Sequence, residues 1–133
     1  MDENPIIMID DDEDDIILLR EALRNVGVKN EIICFQSPDQ AFKYLKTTEA
    51  IPILIICDIN MPLMSGPALK KLLNEECFIH KQKIPFVFLS TAGNDLSPET
   101  LSKLDVQGYF QKVNNIAAID DLAKSIFRLV SVD

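Results

Sequence analysis

The sequence predicts an α/β domain, a doubly wound five-stranded parallel sheet with five helices on its two faces. Three observations carry that prediction. Short apolar runs alternate with segments of helical periodicity, the connections between them are short, and the runs end in turn chemistry. Strands buried on both faces read as unbroken apolar stretches, whereas half-exposed strands alternate apolar and polar residues. At 133 residues and 47% hydrophobic content the chain has material for one core. A single domain is expected over residues 1–133, with its core at about 5–130.

Pro5 to Ile9 is the first strand, and it runs straight into Asp10-Asp11-Asp12-Glu13-Asp14-Asp15. A block of like charges ordinarily marks a disordered tail. This one lies between a buried strand and an amphipathic helix, in which Ile16, Leu19, Ala22, Leu23 and Val26 recur at helical spacing and Gly27 is the stop. Asp12 or a neighbour N-caps that helix, and Glu13, Asp14 and Asp15 suit its positive end. Asp10 and Asp11, at the strand terminus, have no such structural reason.

Glu31 to Phe35 forms the next strand, and Ser37-Pro38 supplies the N-cap and first-turn proline of a helix with Ala41, Phe42 and Leu45 on one face. The central strand, Ile53 to Cys57, delivers Asp58 at its carboxyl end, followed by Ile59-Asn60-Met61-Pro62. Met61 and Met64 read as loop contacts. Gly66-Pro67 opens a helix with Leu69, Leu72 and Leu73 inward. Phe86 to Leu89 is a strand ending in Ser90-Thr91-Ala92-Gly93, its two phenylalanines pointing to one face and into the core. Ser97-Pro98-Glu99 caps a short helix carrying Leu101 and Leu104. Val106 to Gln111 is a weak last strand with Lys112 at its end. Ile116 to Val130 is the final helix, with Ile119, Leu122, Ala123, Ile126 and Phe127 inward.

The net charge of −8 argues against direct DNA binding or an anionic membrane as partner. No apolar run approaches the roughly 20 residues of a membrane-spanning helix, and no basic segment followed by an apolar one suggests a signal peptide. Cys34, Cys57 and Cys77 form no CxxC pair and read as reduced core residues of a cytoplasmic protein. The one histidine, His80, sits beside Lys81, Gln82 and Lys83 as a solvated loop residue, which leaves zinc without ligands.

Right-handed crossovers bring the carboxyl ends of parallel strands to one edge of the sheet, where ligands of such sheets bind. Asp10, Asp11, Asp58, Ser90, Thr91 and Lys112 are the residues placed there. Three gathered carboxylates push their pKa values upward unless a cation intervenes. Magnesium, a hard ion that takes carboxylates, waters and phosphate oxygens, suits them. Asp58 can then act as an ionised nucleophile on phosphorus, with Lys112 and the Ser90 hydroxyl serving the phosphoryl oxygens.

Ile9-Asp10-Asp11-Asp12, Cys57-Asp58-Ile59-Asn60-Met61-Pro62 with Ser65-Gly66, Leu89-Ser90-Thr91-Ala92 and Gly108-Tyr109-Phe110-Gln111-Lys112 resemble, in order and spacing, a CheY-like response-regulator receiver domain. The resemblance implies the flavodoxin-like strand order 2-1-3-4-5, for which CheY is a standing example. It implies that Asp58 accepts a phosphoryl group from the phosphohistidine of a sensor histidine kinase or phosphotransfer protein. Asp11 would ligate Mg2+ directly, Asp10 beside it often through water, and Asn60 through its backbone carbonyl. Ser90, with Thr91 next to it, would reach the phosphoryl oxygen, Lys112 would pair with it, and Tyr109 would turn inward to signal to a protein-binding face. No output domain and no turnover of an external substrate are expected, so the chain reads as a stand-alone receiver acting on a downstream protein, as a monomer or a phosphorylation-dependent dimer. The Asp14-Asp15 and Asn60-Met61-Pro62 segments are similar to small regulators associated with phytochrome-type kinases.

Val113 departs from the proline that usually follows the lysine in this family; a trans bond is expected there, since a cis bond before valine costs about 3 kcal/mol. Three rivals are set against the receiver. Asp10, Asp12, Asp14, Ile17 and Glu21 have the spacing of a calcium loop, but Asp15 stands where that loop needs glycine and a strand precedes it. An aspartyl phosphatase often places a second acid two residues after its nucleophile, where this chain has Asn60. A receiver-shaped interaction module working without phosphorylation is the main alternative.

Overall fold

The computed structural model describes residues 4–77, 83–91 and 96–130. His80, Ala92 and Gly93 therefore lie outside the described residues.

The strands are β1 (Ile6–Ile9), β2 (Ile32–Phe35), β3 (Leu54–Asp58), β4 (Phe86–Ser90) and β5 (Gly108–Gln111). The helices are α1 (Glu13–Asn25), α2 (Pro38–Thr47), α3 (Gly66–Glu76), α4 (Pro98–Leu104) and α5 (Ile116–Val130). The five strands pair in parallel in the order β2-β1-β3-β4-β5, the flavodoxin-like order. Every residue of β1, β3 and β4 is buried. Edge strand β2 is half-buried throughout, and β5 is half-buried except for its exposed last residue, as edges require.

Strand alternation divides the core in two. Ile6, Met8, Leu54, Ile56, Val87 and Leu89 face α1 and α5, where they meet Leu19, Leu23, Ala123 and Ile126. Ile7, Ile9, Ile55, Cys57, Phe86 and Phe88 face the other layer, meeting Ala41, Leu45, Leu69 and Leu73. Phe86 and Phe88 share that face in edge-to-face contact at 5.4 Å.

Local chemistry sets the helix ends. Asp12 caps α1, its carboxylate accepting from the Asp14 and Asp15 amides. Ser37, Ser65 and Ser97 cap α2, α3 and α4 in the same way. Gly27 follows α1 with φ of 112°, a left-handed conformation natural to glycine after a helix.

Two expectations need correction. Met61 is buried in the second core layer and Met64 packs against it, because the turn after β3 folds back over the sheet. In α3, Leu72 is only half-buried, while Lys70 is 1% exposed. The Lys70 stem crosses the apolar layer, its ammonium donates to Asn74 Oδ1 at 2.8 Å, and it lies 5.5 Å from the Phe86 ring centre.

Candidate functional site

β1, β3 and β5 end at the same edge, and alternation fixes where their next residues point. Asp10 continues the parity of Met8, Asp58 that of Ile56, and Lys112 that of Phe110, so all three fall on the face covered by α1 and α5. Asp10 and Asp58 are buried, Asp11 is exposed, and one carboxylate oxygen of each lies within 4.8 Å of the others. Hard oxygen donors at that separation suit a hard divalent cation such as Mg2+.

The Lys112 ammonium sits among these acids, 2.7 Å from Asp10, 2.8 Å from Asp15 and 3.4 Å from Asp58. Its backbone amide donates to the Ser90 carbonyl at 2.7 Å, which fixes the point where the chain leaves the sheet. Burial pushes the Asp58 carboxyl from 3.8 up to about 6; Lys112 pulls it down and Asp10 pushes it further up, each by less. Asp10 is raised for the same first reason, against its hydrogen bonds from Lys112 and the Asp12 amide. Burial would lower Lys112, but its hydrogen bonds to Asp10 and Asp15 outweigh that and hold it above the usual lysine range.

The turn after β3 is built around Asp58. The Asn60 amide donates to Asp58 Oδ1 at 3.3 Å, Ile59 N–H to Leu89 O at 2.9 Å, and Gly66 N–H to Ile59 O at 2.8 Å. A Cβ on Gly66 would stand 2.6 Å from the Asp58 carbonyl oxygen, so the start of α3 can approach the strand only as glycine.

Ser90 is buried at the end of β4, Thr91 is exposed just beyond it, and the Asn60 residue is exposed. Tyr109 pairs in register with Phe88 and packs in the second core layer, away from the carboxylates. Its hydroxyl is buried without a hydrogen-bond partner among the described residues. The Asp10–Asp11–Asp58–Lys112 group is thus brought together, while Tyr109 lies on the other face. The peptide bond before Val113 is trans.

Asp15 is the member that helix capping alone does not anticipate. It lies four residues before Leu19 and seven before Ala22, both buried, and that spacing puts it on the inward stripe of α1, facing Lys112.

The sequence model of the response regulator receiver domain matches residues 6–124. The chain belongs to the response regulator receiver family. It is a domain of two-component signalling, a family whose members interact with histidine kinases or phosphotransfer proteins and bind Mg2+ in an acidic pocket. Similar solved structures include the phosphorylated cyanobacterial phytochrome response regulator RcpA, 26% identical, with 96% of this chain and 94% of that chain covered at a TM-score of 0.82. A receiver domain from Rhodospirillum rubrum is 29% identical, with 96% of each chain covered and a TM-score of 0.79. The Mn(2+)-bound form of response regulator Rcp1 shares the fold at 23% identity, with 98% and 97% covered and a TM-score of 0.81. No curated protein matches the chain. Among the described residues no helix is long and apolar enough to cross a membrane.

Proposed function

We propose that this receiver takes a phosphoryl group onto Asp58 from the phosphohistidine of a sensor histidine kinase or phosphotransfer protein and thereby changes its affinity for a downstream protein. One observation carries the reading: a buried carboxylate at the end of the central strand, with two further carboxylates within 4.8 Å and an ammonium at 3.4 Å. Asp10, Asp11 and Asp58, with the Asn60 carbonyl, would hold Mg2+, which when bound neutralises charge on the carboxylates and on phosphoryl oxygens.

The chain's own residues do the rest. An Asp58 oxygen attacks phosphorus, the bond from phosphorus to the donor histidine nitrogen breaks, and the imidazole leaves with the electron pair. Lys112 pairs with one phosphoryl oxygen, and the Ser90 hydroxyl, flanked by Thr91, donates to another. The two groups descend from adjacent strands, so occupying the site pulls on both β4 and β5. Tyr109, whose buried hydroxyl has no hydrogen-bond partner among the described residues, is the side chain poised to respond on β5. Cys57 and Cys77, buried and in no disulfide among the described residues, suit work in the cytoplasm.

Incubation with acetyl phosphate and Mg2+ tests this. The intact protein should gain one phosphoryl group, and Asp58→Ala should gain none. Labelling that persists in Asp58→Ala, at another carboxylate, would refute the assignment.

A further inference from the structure

We propose that Asp15 is a positioning residue of this site, holding the Lys112 ammonium on the α1 side until a phosphoryl group on Asp58 draws it across. The inference rests on Asp58 being the acceptor. An ammonium has three donors, and the two short contacts, 2.7 Å to Asp10 and 2.8 Å to Asp15, satisfy two of them. The 3.4 Å separation from Asp58 is beyond a charge-assisted hydrogen bond. Lys112 is therefore engaged elsewhere in the resting site.

Of the two short contacts, that to Asp15 is the one suited to give way. The Asp15 side chain is 35% exposed and that of Asp10 only 4%, so water takes over Asp15 readily. Both backbones are fixed, Asp15 by the Asp12 cap and Lys112 by its bond to the Ser90 carbonyl. The lysine side chain is left as the moving part. The Asp15–Lys112 contact also spans a crevice of about 30 Å³ between α1 and α5, whose wall includes Leu18, Val113 and Ile119. Releasing it uncouples the first turn of α1 from the segment leading into α5.

The consequence is kinetic. Labelling must break the Asp15 contact, whereas in the phosphorylated protein it is already broken. Removing Asp15 should speed formation of the aspartyl phosphate and leave its hydrolysis unchanged. With acetyl phosphate, Asp58 oxygen bonds to phosphorus and acetate departs with the electron pair of the broken P–O bond. Asp15→Asn should label about three- to fivefold faster than wild type, the scale of a half-exposed ion pair. Asp15→Glu should restore the wild-type rate within about twofold, on the same scale.

Removing any acid near the site also eases approach of an anionic donor, and two controls separate that effect. Asp14→Asn, the same charge change on the outer side of α1, should leave the rate near wild type, and Asp15→Asn should have no effect in a Lys112→Gln background. Acceleration by Asp14→Asn, or by Asp15→Asn without Lys112, would overturn the proposal, as would slower labelling in Asp15→Asn. A readout independent of labelling is the double-mutant cycle of Asp15→Asn and Lys112→Gln on urea stability without Mg2+, where a non-zero coupling is expected. If wild type never labels while that coupling is present, the acceptor reading has failed and Asp15 is only a structural partner of Lys112. If wild type labels and the coupling is zero, the acceptor reading stands and the positioning role falls.

Discussion

Two lysines withdrawn from solvent, Lys70 buried and Lys112 half-buried, stand on opposite faces of the sheet, and they teach different things. Lys112, on the α1/α5 face, has three carboxylates within 3.4 Å, and its hydrogen bonds to two of them hold the ammonium above its usual pKa. Lys70, on the α3 face, hydrogen-bonds the neutral carboxamide of Asn74 and lies over Phe86, and burial lowers its pKa. A largely screened cation held against several acids sits where the charge balance can be altered by a ligand. Lys70 instead ties α3 to α4, since Asn74 in turn donates to the Leu104 carbonyl at 3.2 Å. Burial of a charge by itself does not mark a site; the sign and number of its neighbours do.

Four substitutions sharpen or break that contrast. Lys112→Met should be the most damaging to stability, by about 2–4 kcal/mol at pH 7, because it leaves acids buried without their counter-charge. The loss should shrink as pH falls through about 6 and Asp58 takes up its proton, with Asp10, also raised, acting in the same direction. A urea titration series across pH would read it, and a loss independent of pH would contradict the electrostatic account. The variant should still label, with a weaker switch.

Gly66→Ala follows, at about 1–3 kcal/mol, since the 2.6 Å approach to the Asp58 carbonyl is to rigid backbone. Slower labelling should accompany the lost stability; an alanine tolerated in both assays would mean that the turn relaxes.

Asp58→Asn should stabilise the protein by about 1–2 kcal/mol at pH 7.5 without divalent ions. The folded pKa of Asp58 lies above its unfolded value, so the native state holds that proton more tightly. Its contribution is present below 3.8 and is lost as pH rises through about 6. The gain from the amide should therefore vanish below pH 4, and Mg2+ should reverse it, because only the carboxylate completes the oxygen set. Thermal melts with and without the ion decide this.

Lys70→Met is the smallest, within about 1 kcal/mol, since an apolar chain of similar shape sheds the desolvation cost, which offsets the lost contacts with Asn74 and Phe86 and the lost attraction of Asp105. Labelling should be unchanged. A large loss in either assay would make the two lysines alike and break the comparison.

Much of this was legible in the sequence. Unbroken apolar runs placed the first four strands, and caps at Asp12, Ser37-Pro38 and Ser97-Pro98 placed three helix starts, because those signals are local. The gathering of Asp10, Asp11, Asp58 and Lys112 followed from crossover handedness alone. Lys70 was not legible: a lysine beside Leu69 looks solvent-facing unless its stem is known to cross an apolar layer. Asp15 was masked by its neighbours, since a helix start accounts for acids without asking which one lies on the inward stripe. The burial of Met61 depended on how the turn after β3 folds back, which no periodicity encodes.

The most direct measurement treats the acetyl phosphate-labelled protein with borohydride, which reduces an aspartyl phosphate to homoserine, and maps the product by peptide mass spectrometry. The account predicts homoserine at position 58 and nowhere else, dependent on Mg2+. Homoserine at position 10, 11 or 15, or none at all, would contradict it.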